Sequence, residues 1–233
     1  MSTAIDASML LRPGLLDGVH VLVVTASELA REEARRSDGD VDSFASAVAS
    51  TCAELGAGVS AWSAESAIDS ATDMLVVDAA GAFALAGAGA CESQVADKTP
   101  RDALRECLDG SWEASRAVAS TAFIEPGRPG RIVYLAPACV DGPRAPSVPF
   151  AEPTSAGDYA DAARAGLENL ARTLSIEWAR FGITLVTIAP GERTSTAEVA
   201  AVTAFLGSLA GAYYSGCLFD LRGLVGVRTL SGP

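Results

Sequence analysis

The sequence is punctuated by short aliphatic, largely β-branched runs, and these limit the chain to few architectures. Val19–Thr25 reads VHVLVVT, Asp73–Asp78 DMLVVD, Arg131–Leu135 RIVYL and Ile183–Ile188 ITLVTI. Runs this short without regular polar alternation are strands buried on both faces, the signature of a parallel sheet. Val59–Trp62 and Ser215–Leu221 read as two further strands. Between the strands lie helical stretches. Ser43–Leu55 sets Phe44, Ala47, Val48, Thr51, Cys52 and Leu55 along one helical face. Pro100–Ile124 and Ala156–Phe181 are longer helices, and Ala197–Leu209 is the last. Strands alternating with helices make βαβ units, so the expectation is an α/β fold with a doubly wound parallel sheet. Ala79-Ala80-Gly81 and the Ala- and Gly-rich residues 84–99 read as loop, as does the Pro-rich stretch Pro137–Pro153. No repeat or linker interrupts the pattern, so residues 1–233 are expected to form one domain.

Charge and residue usage exclude several functions. A net charge of −12 repels phosphate backbones and anionic bilayers, so neither nucleic acid nor a membrane surface is an expected partner. Cys52, Cys91, Cys107, Cys139 and Cys217 are scattered, odd in number and without a CxxC pair, which predicts neither a disulfide framework nor a metal site. His20 is the only histidine and sits at the start of a strand, a poor base for a Ser-His-Asp triad. The first 14 residues lack a basic segment followed by an apolar one, and no apolar run is long enough to span a bilayer. A cytoplasmic location is expected.

Longer stretches carry a resemblance. YADAARAGLENLARTLSIEWARFGITLVTIAPG, from Tyr159 to Gly191, is similar to the active-site helix, following strand and Pro-Gly turn of the short-chain dehydrogenase/reductase (SDR) family. DMLVVDAAG resembles the family's DxLVNNAG segment and GRIVYLAP its GxIVNISS strand. TAEVAAVTAFLGSLAGAYYSGCLFDLRG looks like its last helix and strand. The matches run in family order over most of the chain. They imply a single Rossmann-like sheet of the SDR type.

The resemblance also assigns catalytic positions, and none holds the expected residue. SDR enzymes use a tyrosine, a lysine one turn later, a serine on the neighbouring strand and an asparagine on the preceding long helix. Aligned on AGLENL, the lysine position is Arg164 and the tyrosine position Ala160. Tyr159 is one residue out of register. Four helical residues turn through about 400°, leaving side chains about 40° apart; five leave Tyr159 and Arg164 about 140° apart. The serine position falls on Pro137 and the asparagine position on Cys107. Alanine and proline offer no titratable group for acid–base chemistry, and arginine, a permanently charged fork, does not replace lysine.

The nucleotide site is expected to be degraded too. Where the family has TGxxxGxG, the first strand runs into Thr25-Ala26-Ser27-Glu28, and no glycine follows until Gly39. Glu28, Glu32, Glu33, Asp38 and Asp40 in this stretch would repel a pyrophosphate. Between Trp62 and Asp73 there is no room for the αβ unit that helps wall the adenine, so the nucleotide-binding half is expected to be truncated. Only about five residues follow Gly191 before the last helix, so the substrate lid is short as well.

No cofactor is therefore expected, and the expected role is a non-catalytic subunit. Its partner would be an active SDR paralogue in a hetero-oligomer, or otherwise a second copy of itself. Two alternatives stand beside it. One is an enzyme with a reassigned site using Cys107, Cys139, Tyr134 or Tyr159. The other is a ligand sensor in which Arg164 holds an anion.

Overall fold

The structure, a computed structural model, describes residues 11–29, 44–62, 67–92, 99–138 and 156–222. Six strands form one sheet in the order β2-β1-β3-β4-β5-β6, all neighbours parallel. They are β1 His20–Val24, β2 Gly58–Ala61, β3 Met74–Val77, β4 Gly130–Leu135, β5 Ile183–Ala189 and β6 Cys217–Asp220. The helices are α1 Ala26–Leu29, α2 Phe44–Glu54, α3 Ala79–Glu92, α4 Pro100–Val118, α5 Ala156–Glu177 and α6 Thr196–Gly207. Among the described residues the sheet ends at β2, beyond which the sequence left no room for another αβ unit.

Successive strand residues point to opposite faces, and both faces are covered. Leu22, Val24, Leu75, Val77, Ile132, Tyr134 and Leu185 join a core with α4 and α5 through Cys107, Ala114, Val118, Ala163 and Leu167. Val21, Val23, Met74, Val76, Val133, Leu135, Val186 and Ile188 join a second core with α2 and α6 through Val48, Cys52, Val199 and Ala204. Two-sided burial explains the unbroken apolar runs in the sequence.

Local chemistry fixes the helix ends. Thr99 and Asp102 form a capping box at the start of α4, with Pro100 as its first residue; Ser195 and Glu198 repeat the device at α6. Arg131, at the start of β4, donates to the Gly207 carbonyl at the C-terminus of α6, where a cation is favoured. After α5 the chain turns at Gly182, whose φ of 73° is left-handed.

The main correction concerns the segment read as loop. Ala79-Ala80-Gly81 is the first turn of α3, and the helix runs on to Glu92 through Gly81, Gly87 and Gly89. Its alanines are strong helix formers. Ala79, Ala82 and Ala86 are buried, so the helix shows no polar face by which periodicity would reveal it. The Pro-rich stretch after Ala138, with Cys139, lies outside the described residues up to residue 155, as do residues 30–43 of the charged insertion.

One close approach is decisive for the core. A Cβ on Gly130 would lie 2.4 Å from ring atoms of the fully buried Phe123, which has nowhere to move. Gly130→Ala is expected to lose about 2–3 kcal/mol, measured as a lowered urea midpoint with an unchanged slope; an unchanged midpoint would contradict this packing.

Candidate functional site

Parallel strands bring all their carboxyl ends to one edge, and ligands of open α/β sheets bind there. This edge carries Thr25, Ala61, Asp78, Ala136, Ala189 and Leu221, each directly after or at the end of its strand. Helices α2 and α3 begin here. An open pocket of about 190 Å3 lies over the ends of β1 and β2, lined by Val23, Thr25, Ala45, Ser46, Ala49, Val59, Ser60 and Ala61. Its polar side chains are three hydroxyls, and no charged residue lines it.

Asp78 is the residue that the sequence reading missed. It is fully buried, and its own amide donates to the Val24 carbonyl. Its Oδ1 accepts the Gly81 amide at 2.9 Å, so it caps α3. Its Oδ2 is buried and has no hydrogen-bond partner among the described residues. Burial pushes the carboxyl group's pKa up; the amides of Gly81 and Ala45 pull the other way. Gly81 is required by this crowding: a Cβ there would lie 2.6 Å from Ala26 Cβ and 2.8 Å from Asp78 Oδ2. An aspartate ending an apolar strand before Ala-Ala-Gly was the available signal.

The four residues singled out by sequence all sit on elements that meet at this edge. Cys107 is on the inner face of α4, fully buried, its Sγ 3.4 Å from the Ala79 carbonyl. Burial, with the Asp78 carboxyl adding to it, pushes the thiol up to about 12. Below Cys107, Ser111 donates to the Cys107 carbonyl and Ser115 to the Ser111 carbonyl, both at 2.7 Å. The Tyr134 hydroxyl, 2.8 Å from Ser115 Oγ, completes a buried ladder. Burial also raises the Tyr134 phenol. Pro137 is buried two residues beyond β4, and Ala160 is half-buried on α5. Tyr159 lies in α5, which spans Ala156–Glu177 and also holds Arg164.

Arg164 is 7 % exposed and is tied down. It donates to the Pro190 carbonyl at 3.4 Å and lies 3.9 Å from Asp220 Oδ1. Asp220 also takes Arg222, whose Nε is 2.8 Å from both carboxylate oxygens. The Arg222 hydrogen bond is the first cause of the low Asp220 pKa, and Arg164 is a smaller one. Arg164 thus links α5, the end of β5 and β6, and its charge faces the Asp220 carboxylate at the exposed end of β6.

The other sequence candidates lie elsewhere. His20 starts β1 at the opposite edge, where its amide donates to Asp73. Cys52 is buried on the inner face of α2, its thiol raised by burial to about 12. Cys217 starts β6 and contacts the Ser215 carbonyl.

No family model and no curated protein matches the chain by sequence. Solved structures do match it. A short-chain dehydrogenase from Mycobacterium smegmatis superposes with a TM-score of 0.62 at 21 % identity, over 91 % of this chain and 94 % of its own. A putative 2-deoxy-D-gluconate 3-dehydrogenase from Agrobacterium tumefaciens gives 0.59 at 20 % identity, over 91 % and 98 %. The citronellol catabolism dehydrogenase of Pseudomonas aeruginosa PAO1 gives 0.56 at 20 % identity, over 92 % and 97 %. The chain has the short-chain dehydrogenase fold.

That fold implies a nicotinamide dinucleotide, and the described residues do not suit one. A diphosphate at a helix N-terminus needs free amides and an unoccupied corner. Here the Asp78 carboxyl takes the Gly81 amide and faces Ala45. The pocket beside it offers no cation, and Arg164 is engaged by Asp220.

A raised carboxyl pKa makes folding favour the protonated acid. The contribution of Asp78 is therefore whole below its ordinary value of 3.8 and is lost as pH rises through the higher folded value. Asp78→Asn keeps an acceptor for Gly81 and cannot ionise. From about pH 4 upward, wild-type stability is expected to fall relative to that of Asp78→Asn in urea titrations. A difference constant from about pH 3 to about pH 8 would show that Asp78 ionises as freely folded as unfolded.

Proposed function

We propose that the chain is a non-catalytic SDR-like subunit that pairs with and stabilises an active NAD(P)-dependent SDR. The partner carries the oxidoreductase chemistry, on a hydroxyacyl-CoA or another alcohol or ketone. The observation that carries this reading is the state of Arg164 and its neighbours. At the lysine position stands an arginine bound to Pro190 and Asp220, and one turn earlier an alanine stands where a proton donor is needed. Of the similar structures, that from Agrobacterium tumefaciens is described with bound NADP; in this reading the partner holds the nucleotide and this chain holds none.

A reassigned cysteine enzyme has less support. A nucleophilic thiol needs a lowered pKa and access, whereas Cys107 is fully buried and raised to about 12. Pairing is favoured by apolar side chains left in solvent. Ile176 near the end of α5 is 74 % exposed, Leu209 86 % and Tyr213 91 %. On the outer side of α4, Trp112 stacks on Trp178 at 6.3 Å and is itself exposed. No helix among the described residues is long and apolar enough to cross a membrane, and the pairing is proposed to occur in the cytoplasm.

A tagged pull-down from the native host, followed by the mass of the complex and NAD(P)H titration, tests the proposal. A stoichiometric SDR partner that accounts for all bound nucleotide is expected. A homo-oligomer that binds NAD(P)H or turns over substrate would sink the reading. A second test restores two positions at once. Ala160→Tyr with Arg164→Lys is expected to leave the lone chain without NAD(P)H oxidation, because the nucleotide corner is unchanged. Measurable turnover would show that only the catalytic pair had been missing.

A further inference from the structure

We propose that the Asp78 carboxyl group is a built-in occupant of the corner between the first turns of α2 and α3, and that it keeps phosphate esters out. The inference deepens the reading above by naming the residue responsible, and rests on it only for the absence of nucleotide binding by the wild-type chain.

Capping α3 does not by itself account for an aspartate. A cap needs one acceptor oxygen, and the chain caps α4 and α6 with Thr99 and Ser195 at exposed sites. At Asp78 a carboxyl group is fully buried, Oδ1 takes the Gly81 amide, and Oδ2 has no hydrogen-bond partner among the described residues. Burying Oδ2 without a partner is costly, and that oxygen adds nothing to the cap. The surroundings give it a place. Ala26 Cβ closes one side, as the space around Gly81 shows. The Ala45 amide, in the first turn of the 11-residue helix α2, also acts on the carboxyl group. Ala45 and Thr25 in turn line the open pocket of about 190 Å3. Two helix starts thus converge on one side chain, and helix starts hold anions through free amides and the helix dipole. In either protonation state the carboxyl fills this space; when ionised it also repels a phosphate.

The test vacates the Oδ2 position and keeps the cap. Asp78→Ser retains a capping hydroxyl for the Gly81 amide, and Asp78→Gly, a tolerated capping residue, serves if the serine variant does not fold. Thermal unfolding of the full chain is followed with inorganic pyrophosphate, at ionic strength matched with potassium chloride. The wild type is expected to show no pyrophosphate-dependent shift. Asp78→Ser is expected to show a saturable rise of about 5 °C. A folded Asp78→Ser and a folded Asp78→Gly that both ignore pyrophosphate overturn the inference and leave the proposed function standing. A wild type that is itself stabilised by pyrophosphate and by NADH overturns both.

Discussion

Parallel pairing from β2 through to β6 is the constraint on which the rest of the structure depends. It requires every connection to cross a face of the sheet, which buries the central strands on both sides and makes β1, β3, β4 and β5 largely apolar. It also sends α2, α3 and the Pro190–Gly191 turn out of one edge. The two cores, held by alternate residues of the same strands, owe nothing to catalysis. Side chains at the edge are correspondingly free to change while Leu75, Val76, Val133 and Leu185 keep the sheet in place. A scaffold of this kind does not by itself fix a function.

At that edge polar groups are matched within the chain. Arg164 faces Asp220 and Pro190, Asp220 is shared with Arg222, and Cys107 faces the Ala79 carbonyl. The Ser111–Ser115–Tyr134 ladder is likewise closed on itself. This closure supports the proposed reading, because hydride transfer relies on groups preorganised toward a ligand. Asp78 Oδ2 departs from this internal matching and is buried close to Ala26 and Gly81.

The legible parts of the fold were those whose burial follows a period. The strands show because two-sided burial produces unbroken aliphatic runs, and α4 and α5 show because one side of each remains polar. Helix α3 was hidden for the opposite reason. Its alanines and glycines carry no contrast between faces, and Gly81, Gly87 and Gly89 read as breaks. Gly81 is there to admit Ala26 and the Asp78 carboxyl, a tertiary requirement with no local trace. At the site, the absence of a tyrosine four residues before Arg164 could be read directly from spacing. The pairing of Arg164 with Asp220 could not, since only the register of β5 with β6 brings α5 and Asp220 together.

Exposed apolar side chains and a large negative charge pull in different directions, and both bear on the proposed pairing. A net charge of −12 keeps copies of this chain apart at low salt. Burying exposed apolar area stabilises a contact by about 25 cal/mol per Å2 whatever the partner. Trp112, Ile176, Leu209 and Tyr213 offer such area. A less acidic partner gains that burial without the repulsion that a second identical copy would meet, so charge favours a heteromeric contact over a homomeric one. In the proposed reading this preference rests on surface charge and exposed apolar area, and is independent of the residues at the sheet edge.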